Sequence, residues 1–179
     1  MDPEVWGPCG WRILHRMAYT FKKRADALRF YNSLHMLLPC STCQMNFKRH
    51  FAALPFPSKV QDVGKWVFDV HNRVNDMKGK PPYDVVYPQV KQTYKHARID
   101  SKEWVFILAI VEMHPGKRSA SPEYLSELST FLEAWTASSD VVMPDNISSK
   151  MVLRRWAHTY IKKHGVDVSR KTCSDTCTL

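Results

Sequence analysis

Apolar residues recur every three or four positions through most of this chain, and the breaks between those stretches are rich in proline, glycine and small polar residues. Such spacing predicts amphipathic helices. A first helix is expected from Pro8 to about Lys23, with Trp11, Leu14, His15 and Ala18 on one face. A second is expected from Asp26 to Leu38, with Leu28, Tyr31, Leu34, His35 and Leu38 on one side, stopped by Pro39. Ser41 to Ala53 reads as a third, carrying Cys43, Phe47, His50 and Phe51. After the loop Leu54-Pro55-Phe56-Pro57, Ser58 is the expected cap of a fourth helix reaching about Met77, with Val63, Val67, Val70 and Val74 as its stripe. Gly79-Lys80-Pro81-Pro82 ends it, and Pro88 opens a short fifth helix through Tyr94.

The pattern then restarts. Asp100 or Ser101 is the expected cap of a helix to about His114, stopped by Pro115-Gly116. Ser121-Pro122-Glu123 supplies a cap, a first-turn proline and an acid for a helix to about Ala137. A last helix is expected from about Ile147 to Lys163, followed by a polar tail from Val166 to Leu179. The chain therefore divides into residues 1–96, a helical region 97–165 and a tail 166–179. No sustained Val/Ile/Thr alternation appears, which gives an all-α class, and a hydrophobic share of 44% suffices for a core.

Charge changes the picture little. A net charge of +9 suits a solvated basic surface, or attraction to an anionic cofactor or acidic partner. No compact Lys/Arg block is present, so specific nucleic-acid binding is not expected. Met1-Asp2-Pro3-Glu4 lacks the apolar segment of a secretory signal. The best apolar run, Trp104 to Val111, falls far short of the roughly twenty residues a membrane span needs. A soluble protein made in the cytosol is the expectation.

The candidate chemistry lies in Pro39-Cys40-Ser41-Thr42-Cys43. Two cysteines three apart at the start of a helix bring their sulfurs to one face. The positive helix end favours a thiolate, which suits thiol–disulfide exchange. A second pair, Cys173 and Cys177, lies in the tail, and Cys9 is left over as a buried thiol or an intermolecular link, of which the buried thiol is preferred. The competing reading is a zinc-binding helical interaction protein, with the cysteine pairs and nearby histidines as ligands. Its interaction surface would be the apolar helix bearing Trp104, Phe106, Leu108 and Val111; the ordinary alternative for that helix is a core. His71 and Asn75 share a stripe of a mainly apolar helix and need polar partners there, which a planar ligand would supply. Lys78 and Lys80 follow, suited to phosphates or to solvent.

Together these motifs resemble the Erv/ALR family of FAD-linked sulfhydryl oxidases. The resemblance is carried by Trp11 to His15, by Pro39-Cys40 to Cys43, by His71-Asn72 to Asn75 and by Lys80-Pro81, over residues 5 to 95. Trp6-Gly7-Pro8 and Lys80-Pro81-Pro82 look like the versions carried by large DNA viruses of eukaryotes. The resemblance implies a four-helix bundle with a short fifth helix and FAD between the helices. Trp11, His15 and Tyr19 would line one side of the cofactor, and His71, Asn72, Val74 and Asn75 the other. Phe47 and His50 would also reach it, and Lys78 and Lys80 would meet its diphosphate or ribose. Cys43 would face the flavin ring and Cys40 would face outward. Electrons would pass from dithiol protein substrates, through Cys173–Cys177 and then Cys40–Cys43, to FAD and to dioxygen, yielding hydrogen peroxide. A homodimer in the cytoplasm of an infected host cell, or in the virion, is the implied setting. The structural cysteine that cellular members carry after Lys-Pro is replaced near Val85, and their extra N-terminal cysteine pair is missing.

Overall fold

A computed structural model describes residues 2–82 and 85–168. Among these residues every regular element is helical, as the apolar spacing predicts. The helices are α1 (Pro3–Met17), α2 (Arg24–Leu37), α3 (Ser41–Ala53), α4 (Val63–Met77), α5 (Tyr87–Tyr94), α6 (Glu103–Met113), α7 (Pro122–Ala137) and α8 (Lys150–Lys163). A single 3-10 turn, Val60–Asp62, leads into α4.

Local chemistry moves several ends from the expected positions. α1 starts five residues early because Asp2 caps it, its carboxylate accepting from the Glu4 N–H at 2.9 Å with Pro3 in the first turn. Pro8 is thereby taken inside the helix. α1 stops at Met17, not Lys23, where the Thr20 hydroxyl donates to the Met17 carbonyl at 2.9 Å and fills one of the free acceptors at the helix end. α6 begins at Glu103 rather than beside its expected cap, although the Asp100 carboxylate still accepts from the Lys102 N–H at 2.9 Å. α8 begins at Lys150 because Ser149 caps it. Ser121 caps α7 as its sequence predicts, accepting from the Tyr124 N–H at 3.1 Å. On α2 the buried face runs through Ala27, Phe30, Tyr31, Leu34 and Leu37, a slight rotation from the expected stripe that leaves Leu28, His35 and Leu38 at its margin.

α1 to α4 pack as a bundle, with α5 against α1 and α4. The later helices join the same hydrophobic core: α6 lies on α1, α7 on α2, and α8 on α6. Phe30 of α2 stacks on Phe131 of α7 with ring centroids 5.0 Å apart, and Trp6 of α1 meets Phe106 of α6 at 5.6 Å. α6 is apolar around its whole circumference and buried from Glu103 to Val111, the behaviour of a helix enclosed on every side. Trp104 stacks on Tyr160 at 4.7 Å and meets Trp135 edge-on at 5.0 Å. The Trp104-to-Val111 helix is therefore core, the ordinary reading of its sequence, and the competing reading of it as a partner surface falls away.

One charged group lies inside that core. Glu103 is fully buried and takes both Nε and Nη2 of Arg16, each at 2.8 Å, while also accepting from the Trp135 indole N–H at 2.8 Å. The Arg16 Nη1 donates to the Ser138 hydroxyl at 2.9 Å. This network ties α1 to α6 and α7. A bidentate pair with every oxygen used is the arrangement in which a buried ion pair repays its desolvation.

Candidate functional site

The Cys40–Cys43 segment is built by the break between α2 and α3. Pro39 is buried at the end of α2, and Cys40 takes an extended conformation, φ −167°, as the cap of α3 rather than in its first turn. Its sulfur accepts from the Cys43 N–H at 3.1 Å. Gln44 anchors the segment: its side-chain amide donates to the carbonyls of Met36 and Leu38, both at 2.9 Å, so the start of α3 is tied to the end of α2. Sequence reasoning passed over Gln44, and nothing in its spacing marks it.

Cys40 and Cys43 are free thiols. Burial, followed by the hydrogen bond to Cys40 and the Cys40 charge, pushes the Cys43 thiol up to about 12, with Lys78 opposing. The expectation that the helix end would favour a thiolate thus fails at Cys43 in the reduced pair: desolvation outweighs the dipole. Cys9 is buried, as expected, but disulfide-bonded, so the preferred reading of a free thiol is corrected. Cys173 and Cys177 lie outside the described residues. Among the described residues no cluster of three or more His, Cys, Asp or Glu side chains stands ready to hold a metal.

Cys43 opens into an apolar cavity between α1, α3 and α4, about 100 Å3 in volume. Its walls include Trp6, Gly7, Gly10, Trp11 and Leu14 of α1, Asn46, Phe47 and His50 of α3, Val74 and Met77 of α4, Lys78, and Phe106 of α6. Cys40 does not line it. Phe106 is a wall residue that residues 5 to 95 could not reveal. It sits where a Cβ on Gly10 would come within 2.8 Å of its ring, so glycine there lets α6 close on the cavity.

Beside the cavity the ring residues of the motifs meet one another. His71 stacks on Trp11, ring centroids 4.1 Å apart and 10° between planes. The His15 Nε2 and His71 Nδ1 atoms are hydrogen-bonded at 3.1 Å, and His15 lies 5.1 Å from the Tyr94 ring. Burial, and then the neighbouring His71, holds the His15 imidazole well below the ordinary range; burial, and then Lys80, lowers His71 to about 3. Burial therefore keeps both rings neutral near pH 7, with one ring nitrogen donating and the other accepting. Tyr19 packs elsewhere, over Gly64 and beside Tyr87, and burial followed by that Tyr87 contact raises its pKa. Asn75 turns the chain at the end of α4, its carbonyl accepting from the Lys78 and Lys80 N–H groups at 3.0 and 2.9 Å. Asn72 is half-buried on the same helix. Lys80 makes an ion pair with Glu4 at 3.6 Å, so of the two lysines only Lys78 reaches the cavity wall.

The residues present suit a planar aromatic cofactor. The wall is apolar and aromatic with a few polar groups at its edge, the usual character of a small-molecule site. His50 is buried, and among the described residues its Nε2 has no hydrogen-bond partner, a polar atom that a bound group would satisfy.

The family model described as Erv1 / Alr matches residues 8–95. The chain is similar to a probable FAD-linked sulfhydryl oxidase of Acanthamoeba polyphaga mimivirus, 32% identical over 121 residues, covering 60% of this chain and 83% of that one. It is also similar to the mitochondrial FAD-linked sulfhydryl oxidase of Saccharomyces cerevisiae, at 26% identity over 46% of this chain and 48% of the yeast protein. A FAD-linked sulfhydryl oxidase of Oryza sativa subsp. japonica is 29% identical over 58% of this chain and 55% of its own length. The match thus spans about half of the yeast and rice proteins. No solved structure matches the chain. With Cys43 of the cysteine pair on the wall of an aromatic cavity and a viral relative matched over most of its length, the chain belongs to the Erv1 / Alr family.

Proposed function

We propose that this protein is a FAD-linked thiol oxidase that makes disulfides in protein substrates at the expense of dioxygen. The observation that carries the reading is the division of labour between the two sulfurs. Cys43 faces the aromatic cavity, whereas Cys40 caps α3 outside it. Three relatives that carry the name FAD-linked sulfhydryl oxidase support the cofactor and the reaction class.

In the oxidised enzyme Cys40 and Cys43 form a disulfide. A substrate thiolate attacks the Cys40 sulfur, breaking that bond and leaving a mixed disulfide with Cys40. The second substrate thiol then displaces Cys40, so the substrate leaves as a disulfide and the enzyme holds two thiols. Trp11, Phe47, His50 and Lys78 would hold the cofactor, and the apolar wall would keep water from the inner sulfur. Bound FAD supplies the electron pathway from the dithiol to dioxygen, so that each turnover converts two thiols and one dioxygen into one disulfide and one hydrogen peroxide. Because burial holds the Cys43 proton tightly in the reduced pair, its release needs a positive neighbour, and Lys78 is the cation that pulls the Cys43 pKa down. The likeness to a mimivirus protein supports a setting in the cytoplasm of an infected cell, where dioxygen as acceptor drives disulfide formation against a reducing glutathione pool.

Purified protein is expected to be yellow. Cys43→Ser is expected to keep that colour while losing at least a hundredfold in dioxygen consumption with a dithiol. A colourless folded protein, or a Cys43→Ser variant that turns over normally, would remove this reading.

A further inference from the structure

A second cavity, about 440 Å3, lies between α3 and α4. Asn46, Arg49, His50, Arg73, Asp76 and Met77 line it, and it shares Asn46, His50 and Met77 with the aromatic cavity. The two differ in chemistry: the aromatic one is walled by Trp and Phe rings, whereas this one carries two guanidinium groups. Arg49 and Arg73 are exposed, and among the described residues neither forms an ion pair. His50 lines the same wall, 6% exposed, and among the described residues its Nε2 has no hydrogen-bond partner.

We propose that this cavity binds a phosphate-type oxyanion, with Arg49 and Arg73 as guanidinium clamps and the buried His50 Nε2–H as a third donor on the same wall. A guanidinium matches two phosphate oxygens at once, which a lysine does not. A buried imidazole nitrogen without a partner costs free energy until a ligand satisfies it. Asp76 is the one carboxylate on the wall, and two arginines outweigh it, so the cavity keeps a net positive charge with His50 neutral. The volume is ample for a diphosphate. Two sources share this chemistry: a free phosphate compound entering from solvent, or the diphosphate of the cofactor reaching through the partition at His50. The free-ligand source stands on the geometry of this cavity alone, whereas the cofactor source rests on the proposed oxidase function.

The test adds pyrophosphate to the flavin-loaded protein and follows heat of binding together with the His50 ring signals by NMR. Arg49→Gln and Arg73→Gln are run in parallel; both side chains are exposed, so the fold is expected to survive. Saturable binding that shifts the His50 signals and weakens about tenfold or more in each variant establishes the site with a free ligand as its source. No pyrophosphate binding, with the phosphorus NMR signals of the bound cofactor displaced in both variants, establishes it with the cofactor's diphosphate as the source. No binding and undisturbed phosphorus signals overturn the proposal, as does binding that is equal in the variants. Neither negative result touches the yellow colour or the Cys43→Ser outcome, so the two readings fail separately.

Discussion

Glu103→Ala tests the claim that the helices beyond residue 96 brace α1. The carboxylate is fully buried and satisfies two Arg16 nitrogens and the Trp135 indole. Its removal strands a guanidinium that is itself 1% exposed, and breaking a buried pair from one side costs about 3–5 kcal/mol. The orphaned Trp135 N–H adds about 1–3 kcal/mol. The terms share one network and do not simply add, so a loss of about 4 kcal/mol is the expected value. Against a typical total stability of about 5–15 kcal/mol, that brings the protein close to its threshold. Urea unfolding followed by tryptophan fluorescence reads the loss, since Trp104 and Trp135 sit at the network. Arg16→Met/Glu103→Leu removes both charges and is expected to recover most of the loss, because apolar replacement of a buried pair is often neutral. A loss below about 1 kcal/mol in Glu103→Ala, or a double variant as weak as the single one, would refute the reasoning.

Two further outcomes follow from the site and its supports. His15 and His71 are neutral in the fold and have their ordinary value of 6.5 when unfolded, so their contribution is complete above about pH 6.5 and is lost as acid is added. Below that pH each histidine steepens the fall in stability by about 1.4 kcal/mol per pH unit, down to about pH 3 for His71. Unfolding midpoints between pH 6 and 4.5 should therefore fall less steeply in His71→Gln, by about one proton; an unchanged slope would mean that His71 titrates normally. Gly64→Ala places a Cβ 2.5 Å from the Tyr19 hydroxyl, so the ring and its Tyr87 contact must shift. A loss of about 1–3 kcal/mol in thermal or urea unfolding is expected, and a neutral result would show that the contact yields freely.

The helices and the chemistry were legible to different depths. Helical spacing and the Ser121-Pro122 start placed α7 to the residue, because cap and periodicity agree there. α1 was displaced at both ends because Pro8 is a strong break signal, and only the Asp2 carboxylate on the Glu4 N–H shows that the helix has already begun. The Cys40, Cys43, Trp11, His15 and His71 set was visible because each motif lies within one helix, where spacing reports a shared face. Tyr19 shares that helical logic on paper, yet α1 ends at Met17 and the ring leaves the stripe for Gly64. What no local pattern carries is contact at long separation. Gln44 fixes α3 by reaching backbone carbonyls of α2, and Phe106 completes the cavity wall from a different part of the chain.

The Arg16–Glu103 pair gives the deepest reason for that limit. Arg16 follows His15 directly, and in sequence it reads as one more surface charge on a basic protein. In the fold it is buried on the side of α1 that meets α6 and α7, while Trp11 and His15 on the same helix meet His71 of α4. A helix with groups anchored on two sides has little freedom to turn. Rotating α1 to improve one contact would pull Arg16 from Glu103 or separate His15 from His71. The later helices thus help set the orientation in which the aromatic residues of α1 are presented to Cys43, and a change at Glu103 should be felt at the cavity as well as in stability. Cofactor retention in Glu103→Gln provides the discriminating measurement. This variant keeps the shape and replaces one charge-assisted bond with a neutral one. If it holds the flavin as tightly as the parent while losing stability, the pair supports the fold without orienting the site.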